Sequence, residues 1–259
     1  GLPLDIEYLS DNAAFPYGNK PAAELVRRAL DVVLTAQQRW QADLLVIACN
    51  TASTVALPAL REQLDIPVVG VVPAIKTAAA LTKTGSFGLL ATPGTVARDY
   101  TRELIATFAQ GQHVFSVGSS ELVELAEAHI YGAPLQRERI AAILDAFEAQ
   151  PGGEHIDTLV LGCTHFPLLR DELQALRPGW LLVDSGPAIA TRVKDLLQLE
   201  GEALAAGAEA GAQRNAHFTK TNNSESPGLD EFLQQMGFSA ARFFAASHYP
   251  YAQAEAGQP

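Results

Sequence analysis

The chain has 259 residues, 48% of them hydrophobic and 18% charged, with a formal net charge of −11; it holds apolar material for one large core or two small ones. That acidity excludes the usual electrostatic grip on a nucleic-acid backbone or an anionic membrane surface. Two cysteines exclude a disulfide scaffold, no C-x-x-C or His/Cys cluster predicts a zinc site, and no apolar run reaches membrane-spanning length. The expectation is a soluble, cytoplasmic globular protein with no nucleic-acid or membrane partner.

Residues 4–9, Leu-Asp-Ile-Glu-Tyr-Leu, alternate apolar and polar like a strand. Asp11 follows, at the carboxyl end of that strand, with Asn12 and then Phe15-Pro16-Tyr17-Gly18. Asp, Asn, Pro and Gly all favour turns, so Asp11 reads equally as a turn residue and as a group on a ligand-binding face. A helical pattern over 24–41 leads into the aliphatic run 44–48, which is too short for a helix and reads as a buried parallel strand. Further runs of this kind cover 68–72, 86–91, 113–117, 158–161 and 180–183. Helical patterns over 54–64, 96–110, 121–131, 135–150 and 187–200 separate them. Repeated strand–helix–strand units predict an α/β fold with parallel sheets flanked by helices. Residues 201–215 read as a helix or surface connection, 219–227 as a polar turn, and 253–259 as a frayed end.

One pattern occurs twice. Leu45-Val46-Ile47-Ala48-Cys49-Asn50-Thr51 resembles Leu159-Val160-Leu161-Gly162-Cys163-Thr164-His165, about one small domain later. Each is an aliphatic strand, a small residue, a cysteine and two polar residues entering a helix. A free cysteine is most often a small buried hydrophobe. Two cysteines in equivalent positions instead predict two similar lobes, each placing a thiol at the carboxyl end of a strand, where open α/β sheets bind ligands. A helix N-terminus stabilises a thiolate and attracts a carboxylate, so two facing thiols suggest acid–base work on both faces of one carbon. Asn50 and Thr51 read as anion donors or as a helix cap. His165 reads as a proton donor beside Cys163 or as an ordinary core or surface histidine. Thr92 or Thr95, after the strand at 86–91, reads either as an anion contact or as a cap. No Walker A, G-x-G-x-x-G or Schiff-base lysine is visible.

Pro16-Tyr17-Gly18, Cys49-Asn50-Thr51-Ala52-Ser53 and Gly162-Cys163-Thr164-His165-Phe166-Pro167-Leu168-Leu169 together resemble the glutamate racemases of the cofactor-independent aspartate/glutamate racemase superfamily. Gly88-Leu89-Leu90-Ala91-Thr92 and Asp184-Ser185-Gly186 fit as well, and the similarity runs from Leu4 to about Leu197. The resemblance implies two pseudo-symmetric lobes, 1–73 with 186–259 and 74–185, with the site between them. It implies inversion at Cα of glutamate without any cofactor, supplying D-glutamate for peptidoglycan. Cys49 would take the proton from D-glutamate and Cys163 from L-glutamate. His165, Asp11 and Glu127 would join them as catalytic groups. Asn50, Thr51 and Thr164 would hold the α-carboxylate, Tyr17 and Gly18 the side-chain carboxylate, and Thr92 and His165 would also contact the substrate. Family members are often homodimers, so a second copy is the one protein partner implied. An unperturbed thiol is only about 3% ionised at pH 7, so the site must tune two thiols to opposite protonation states.

The family pattern opens with a strand and a turn bearing Asp-Ser-Gly, and nothing before Asp5 supplies one. Asp184-Ser185-Gly186 has the same letters but follows the second cysteine. The resemblance therefore predicts a further strand and helix of roughly 20–30 residues, and an exposed sheet edge or gap where they are missing. The alternatives are a related aspartate or hydantoin racemase or maleate isomerase, a non-catalytic amino-acid-binding fragment, and a thiol hydrolase using Cys163 and His165 that leaves Cys49 idle.

Overall fold

The aliphatic runs at 86–91 and 158–161 form strands buried throughout, whereas the run at 44–48, expected as a buried strand, is only partly buried, with Ala48 exposed. A computed structural model describes residues 4–198, 212–220 and 227–246. The chain starts with β1 (Ile6–Ser10), 3-10 turns at Asn12–Ala14 and Tyr17–Asn19, and α1 (Ala22–Trp40). β2 (Leu45–Ile47), α2 (Asn50–Gln63), β3 (Val68–Gly70) and α3 (Ile75–Leu81) follow. Next come β4 (Ser86–Ala91), α4 (Pro93–Ala97), α5 (Asp99–Phe108), β5 (His113–Gly118), α6 (Glu121–Ile130) and α7 (Arg137–Glu148). The remainder is β6 (Thr158–Leu161), α8 (Arg170–Leu176), β7 (Leu181–Val183), α9 (Gly186–Leu196), β8 (Arg214–Phe218), α10 (Pro227–Gln235) and β9 (Arg242–Phe243).

Strands β5, β4, β6 and β7 form one parallel sheet in that order. Along β4 and β6 successive residues join opposite cores. Phe87, Leu89, Ala91 and Val160 pack with Ile75 and Val183 on one face, while Leu90, Leu159 and Leu161 pack with Leu122, Ile140 and Phe147 on the other. Parallel strands covered by helices on both faces lose the polar alternation of a half-exposed strand. Strands β2 and β3 pair in parallel under α1 and α2, around Leu25, Ile47, Ala56, Leu60 and Val68. Strands β1, β8 and β9 form a third sheet, also parallel. Among the described residues β1 and β2 do not pair, so the cysteine-bearing β2 and the Asp11-bearing β1 sit in separate sheets.

Helix α1 buries Leu25, Ala29 and Val32 as one stripe and ends where Gln41 turns left-handed at φ 49°. The expected helix over 54–64 starts four residues sooner, at Asn50, because Cys49 itself caps it through a bond from Ala52 N–H. The expected single helix over 96–110 is two. Thr92 caps α4, Pro93 opens it, and extended backbone at Arg98 separates it from α5. The expectation of a helix or connection over 201–215 is corrected at its end: Arg214 and Asn215 lie in β8, where a parallel ladder with β1 satisfies their backbone. Residues 201–211, 221–226 and 253–259, which carry the rest of those expectations, lie outside the described residues, while Pro227, expected at the end of the polar turn 219–227, opens α10. No helix among the described residues is long and apolar enough to cross a membrane.

Candidate active site

Parallel strands present their carboxyl ends on one side, and those ends carry most of the polar residues singled out above. Asp11 follows β1, Thr92 follows β4 and Thr219 follows β8, while Cys49 and Cys163 each stand two residues past β2 and β6. Gly162 permits the second approach: its N–H donates to the Leu90 carbonyl at 2.7 Å. A Cβ there would stand 3.0–3.1 Å from Leu89, Ala91 and Leu90 atoms.

Both cysteines are free, but their settings differ. Cys49 is the N-cap of α2, its Sγ 3.4 Å from Ala52 N–H. Burial pushes its thiol up to about 11; the charge of Cys163 adds to this, while bonds from Ala52 and Thr51 pull the other way. Cys49 is therefore a protonated thiol at neutral pH. Cys163 does not cap a helix. A 3-10 turn, Phe166–Leu169, intervenes before α8, with Pro167 at its start and Phe166 N–H bonded to the Cys163 carbonyl at 3.1 Å. This corrects the expectation that both cysteines lead into equivalent helix starts.

What Cys163 has instead is a cation. His165 Nδ1 lies 3.8 Å from its Sγ, and His165 Nε2 lies 3.0 Å from Glu127 Oε2. Burial works against the charged imidazole, but the hydrogen bonds and charges of Cys163 and Glu127 outweigh it and bring His165 up to about 9. Phe15 covers the ring at a centroid distance of 5.8 Å. Glu127 sits on α6, 38 positions from His165.

The two cysteine loops touch directly. Thr164 Oγ1 donates to the Ala48 carbonyl at 3.1 Å, which joins the residue after one cysteine to the residue before the other. Beside them Thr51, Thr92 and Thr95 form a buried hydroxyl triangle. Thr51 lies 3.4 Å from Thr92 and 3.3 Å from Thr95, and Thr92 donates to Thr95 at 3.0 Å. Thr92 is thus a cap and a member of this wall together. Asn50 is buried and its Oδ1 accepts no bond among the described residues, which leaves a buried acceptor without a protein donor.

Tyr17 and Gly18 lie against this wall. A Cβ on Gly18 would stand 3.1 Å from Thr92 Cβ, and one on Gly94 would stand 2.6 Å from the Gly18 carbonyl oxygen. Tyr17 OH donates to Asp11 Oδ2 at 2.6 Å. Asp11 also takes both arms of Arg28 and the hydroxyl of Thr219, and neither thiol is among these partners. Arg28 and Thr219 escaped the sequence, where a helix-face arginine and a turn threonine carry no signal of their own. Among the described residues no group of three or more His, Cys, Asp or Glu is placed to hold a metal ion.

The model of the Asp/Glu/Hydantoin racemase family matches residues 3–193. A curated glutamate racemase of Salmonella typhimurium is 57% identical over 194 residues, 74% of this chain and 68% of that protein. The glutamate racemase of Klebsiella pneumoniae is 50% identical over 232 residues, 89% of this chain and 80% of that one. Among solved structures, Escherichia coli glutamate racemase in complex with L-glutamate and the activator UDP-MurNAc-ala superposes with a TM-score of 0.84 at 47% identity, covering 94% of this chain and 90% of that one. Thermus thermophilus glutamate racemase in complex with beta-chloro-D-alanine gives 0.67 at 26% identity, covering 94% and 88%.

Proposed function

Because the chain belongs to the glutamate racemases of the Asp/Glu/Hydantoin racemase family, we propose that it interconverts L- and D-glutamate with its two thiols and no cofactor. The observation that carries this is the pairing of unlike cysteines across one hydrogen bond. Cys49 is a thiol at neutral pH, Cys163 has an imidazolium at its side, and Thr164 ties their loops together. In the L-to-D direction Cys163, as thiolate, takes the α-proton. The electron pair of the broken C–H bond moves into the α-carboxylate, and Cys49 delivers its own proton to the opposite face. The reverse direction exchanges the roles, so one proton enters and one leaves in each turnover.

Asn50, Thr51 and Thr92 hold the α-carboxylate together with the backbone N–H of Thr164, whose hydroxyl is engaged with Ala48, and donors fixed in advance gain most as negative charge builds. Tyr17 and Gly18 hold the side-chain carboxylate. His165 keeps a positive charge beside Cys163, and Glu127 keeps that histidine protonated and oriented. The described residues of 1–73 and 186–259 act as one lobe and residues 74–185 as the other. The Ser185 hydroxyl bonds the Val72 carbonyl where the chain crosses between them. The D-glutamate made in the cytoplasm serves peptidoglycan synthesis, and two copies associate as a homodimer.

The test is α-proton exchange in deuterated water, followed by NMR with each enantiomer separately and no cofactor added. Exchange and inversion from both, abolished by Cys49→Ala or Cys163→Ala, is the expected result. No exchange from either enantiomer overturns the proposal. Activity that survives loss of Cys49 points to a Cys163–His165 hydrolase instead.

A further inference from the structure

We propose that Arg28 is a positioning residue for the reaction: through Asp11 it holds the Tyr17–Gly18 turn against the threonine wall, so that binding of the substrate's distal carboxylate depends on an ion pair that bonds neither thiol. This rests on the reading that Tyr17 and Gly18 receive that carboxylate.

Both oxygens of Asp11 are fully engaged. Its Oδ2 accepts from Tyr17 OH at 2.6 Å and Arg28 Nε at 2.8 Å. Its Oδ1 accepts from Arg28 Nη2 at 2.6 Å and Thr219 Oγ1 at 2.7 Å. Four donors on two oxygens leave little lone-pair capacity for a substrate proton. Burial alone would raise this carboxyl, but Arg28, Tyr17 and Thr219 reverse the sign and hold it below the ordinary carboxylate range. A carboxylate stabilised in this way is a weak base and a firm anchor. The fork of Arg28 meets it bidentately, a geometry that fixes orientation as well as charge.

The anchor reaches the site through one side chain. Tyr17 has its hydroxyl end fixed on Asp11, and its ring packs with Cys49 against the cluster of Leu25, Ile47 and Ala52. Burial and the neighbouring Asp11 raise the phenol, so it stays a donor. The next residue, Gly18, has its carbonyl oxygen 2.6 Å from where a Cβ on Gly94 would stand, at the start of α4. The turn is thus held between α1 and α4: pulled by Asp11–Arg28 on one side, stopped by Thr92 and Gly94 on the other. Loosening the pull moves the backbone that meets the distal carboxylate, while the hydrogen bonds of Cys49 to Ala52, of Cys163 to His165 and of His165 to Glu127 do not involve Asp11 or Arg28.

The experiment compares racemisation kinetics of the full chain with those of Arg28→Lys, Arg28→Met, Asp11→Asn and Tyr17→Phe, together with glutamate binding by calorimetry. Thermal melts report on folding, and Tyr17→Phe keeps the ion pair, so it remains informative if the charge variants fold poorly. The expected result is a KM raised at least about tenfold in Arg28→Met and Asp11→Asn, with a smaller rise in Arg28→Lys and Tyr17→Phe and kcat changed only a few-fold. Wild-type KM in all four overturns the proposal. So does a fall in kcat at unchanged KM in Asp11→Asn, which makes Asp11 an acid–base group. A loss of stability that lowers kcat and binding in parallel, without the KM split in Tyr17→Phe, reduces the pair to a structural one and also overturns it. An inactive wild type removes the functional reading itself, and is told apart from the other outcomes by that control.

Discussion

Thr164 and Ala48, 116 positions apart in the chain, share a hydrogen bond of 3.1 Å that fastens the second cysteine loop to the first. A two-thiol inversion needs the sulfurs on opposite faces of one carbon, and small errors in such placement are costly. Thr164→Val keeps the shape, removes the donor and leaves the Ala48 carbonyl without this partner. The expected outcome is a kcat/KM lower by roughly 10- to 100-fold with stability reduced by only about 1 kcal/mol. Steady-state racemisation and chemical denaturation measure the two quantities.

The His165–Glu127 pair makes a prediction in pH. His165 is raised from 6.5 to about 9, so the folded state binds this proton more tightly than the unfolded chain. Its contribution to stability is complete below pH 6.5 and is lost as pH rises through about 9. Glu127→Gln removes one cause of the shift and should return His165 toward its ordinary value. The melting-temperature gap between wild type and variant should be widest at the acid end of that window and close above it. Imidazole NMR titration checks the same point directly; a wild-type His165 titrating near 6.5 contradicts it.

Cys49 should be the slow thiol. With its thiol pushed up to about 11, the ligand-free protein exposes little thiolate at neutral pH, and only the thiolate reacts with iodoacetamide. Peptide-level mass spectrometry should show Cys49 alkylation rising about tenfold per pH unit from neutrality toward that value. A plateau near pH 8 contradicts the assignment.

Gly94→Ala tests the contact between the Tyr17–Gly18 turn and α4. The new Cβ would lie 2.6 Å from the Gly18 carbonyl oxygen, a backbone atom that no side-chain rotation can move aside. Overpacking of this kind costs roughly 1–3 kcal/mol and should lower the melting temperature by roughly 2–4 °C per kcal/mol in a chain of this size. Displacement of Gly18 should raise KM for glutamate. An unchanged melting temperature with unchanged KM shows the turn free to move away.

The two cysteines were legible in the chain because their signal is local: a short aliphatic run makes a parallel strand, fully buried in β6 and partly buried in β2, and the polar residues that follow fall at its carboxyl end. The strand–helix rhythm was legible for the same reason. The break between α4 and α5 was hidden, since apolar periodicity runs across Arg98 while the extended backbone there ends the helix. Strand β8 was hidden too, because Arg214–Phe218 gains its strand character from pairing with β1, more than 200 positions earlier. Asp11 read equally well as a turn and as a site group, and it does end a strand, but its four donors come from three separate segments.

By itself, then, the sequence determined the α/β class, the family and the two thiols, because each rests on short-range patterns of burial and on residues adjacent in the chain. Tertiary structure alone decided that the thiols differ. Cys49 is buried at a helix cap, Cys163 stands by an imidazolium that Glu127 supports from another helix, and Asp11 is saturated by Arg28, Tyr17 and Thr219. The reason is physical: the protonation of a buried group is set by the charges and dipoles within a few ångströms of it, and no spacing along the chain encodes which groups those are.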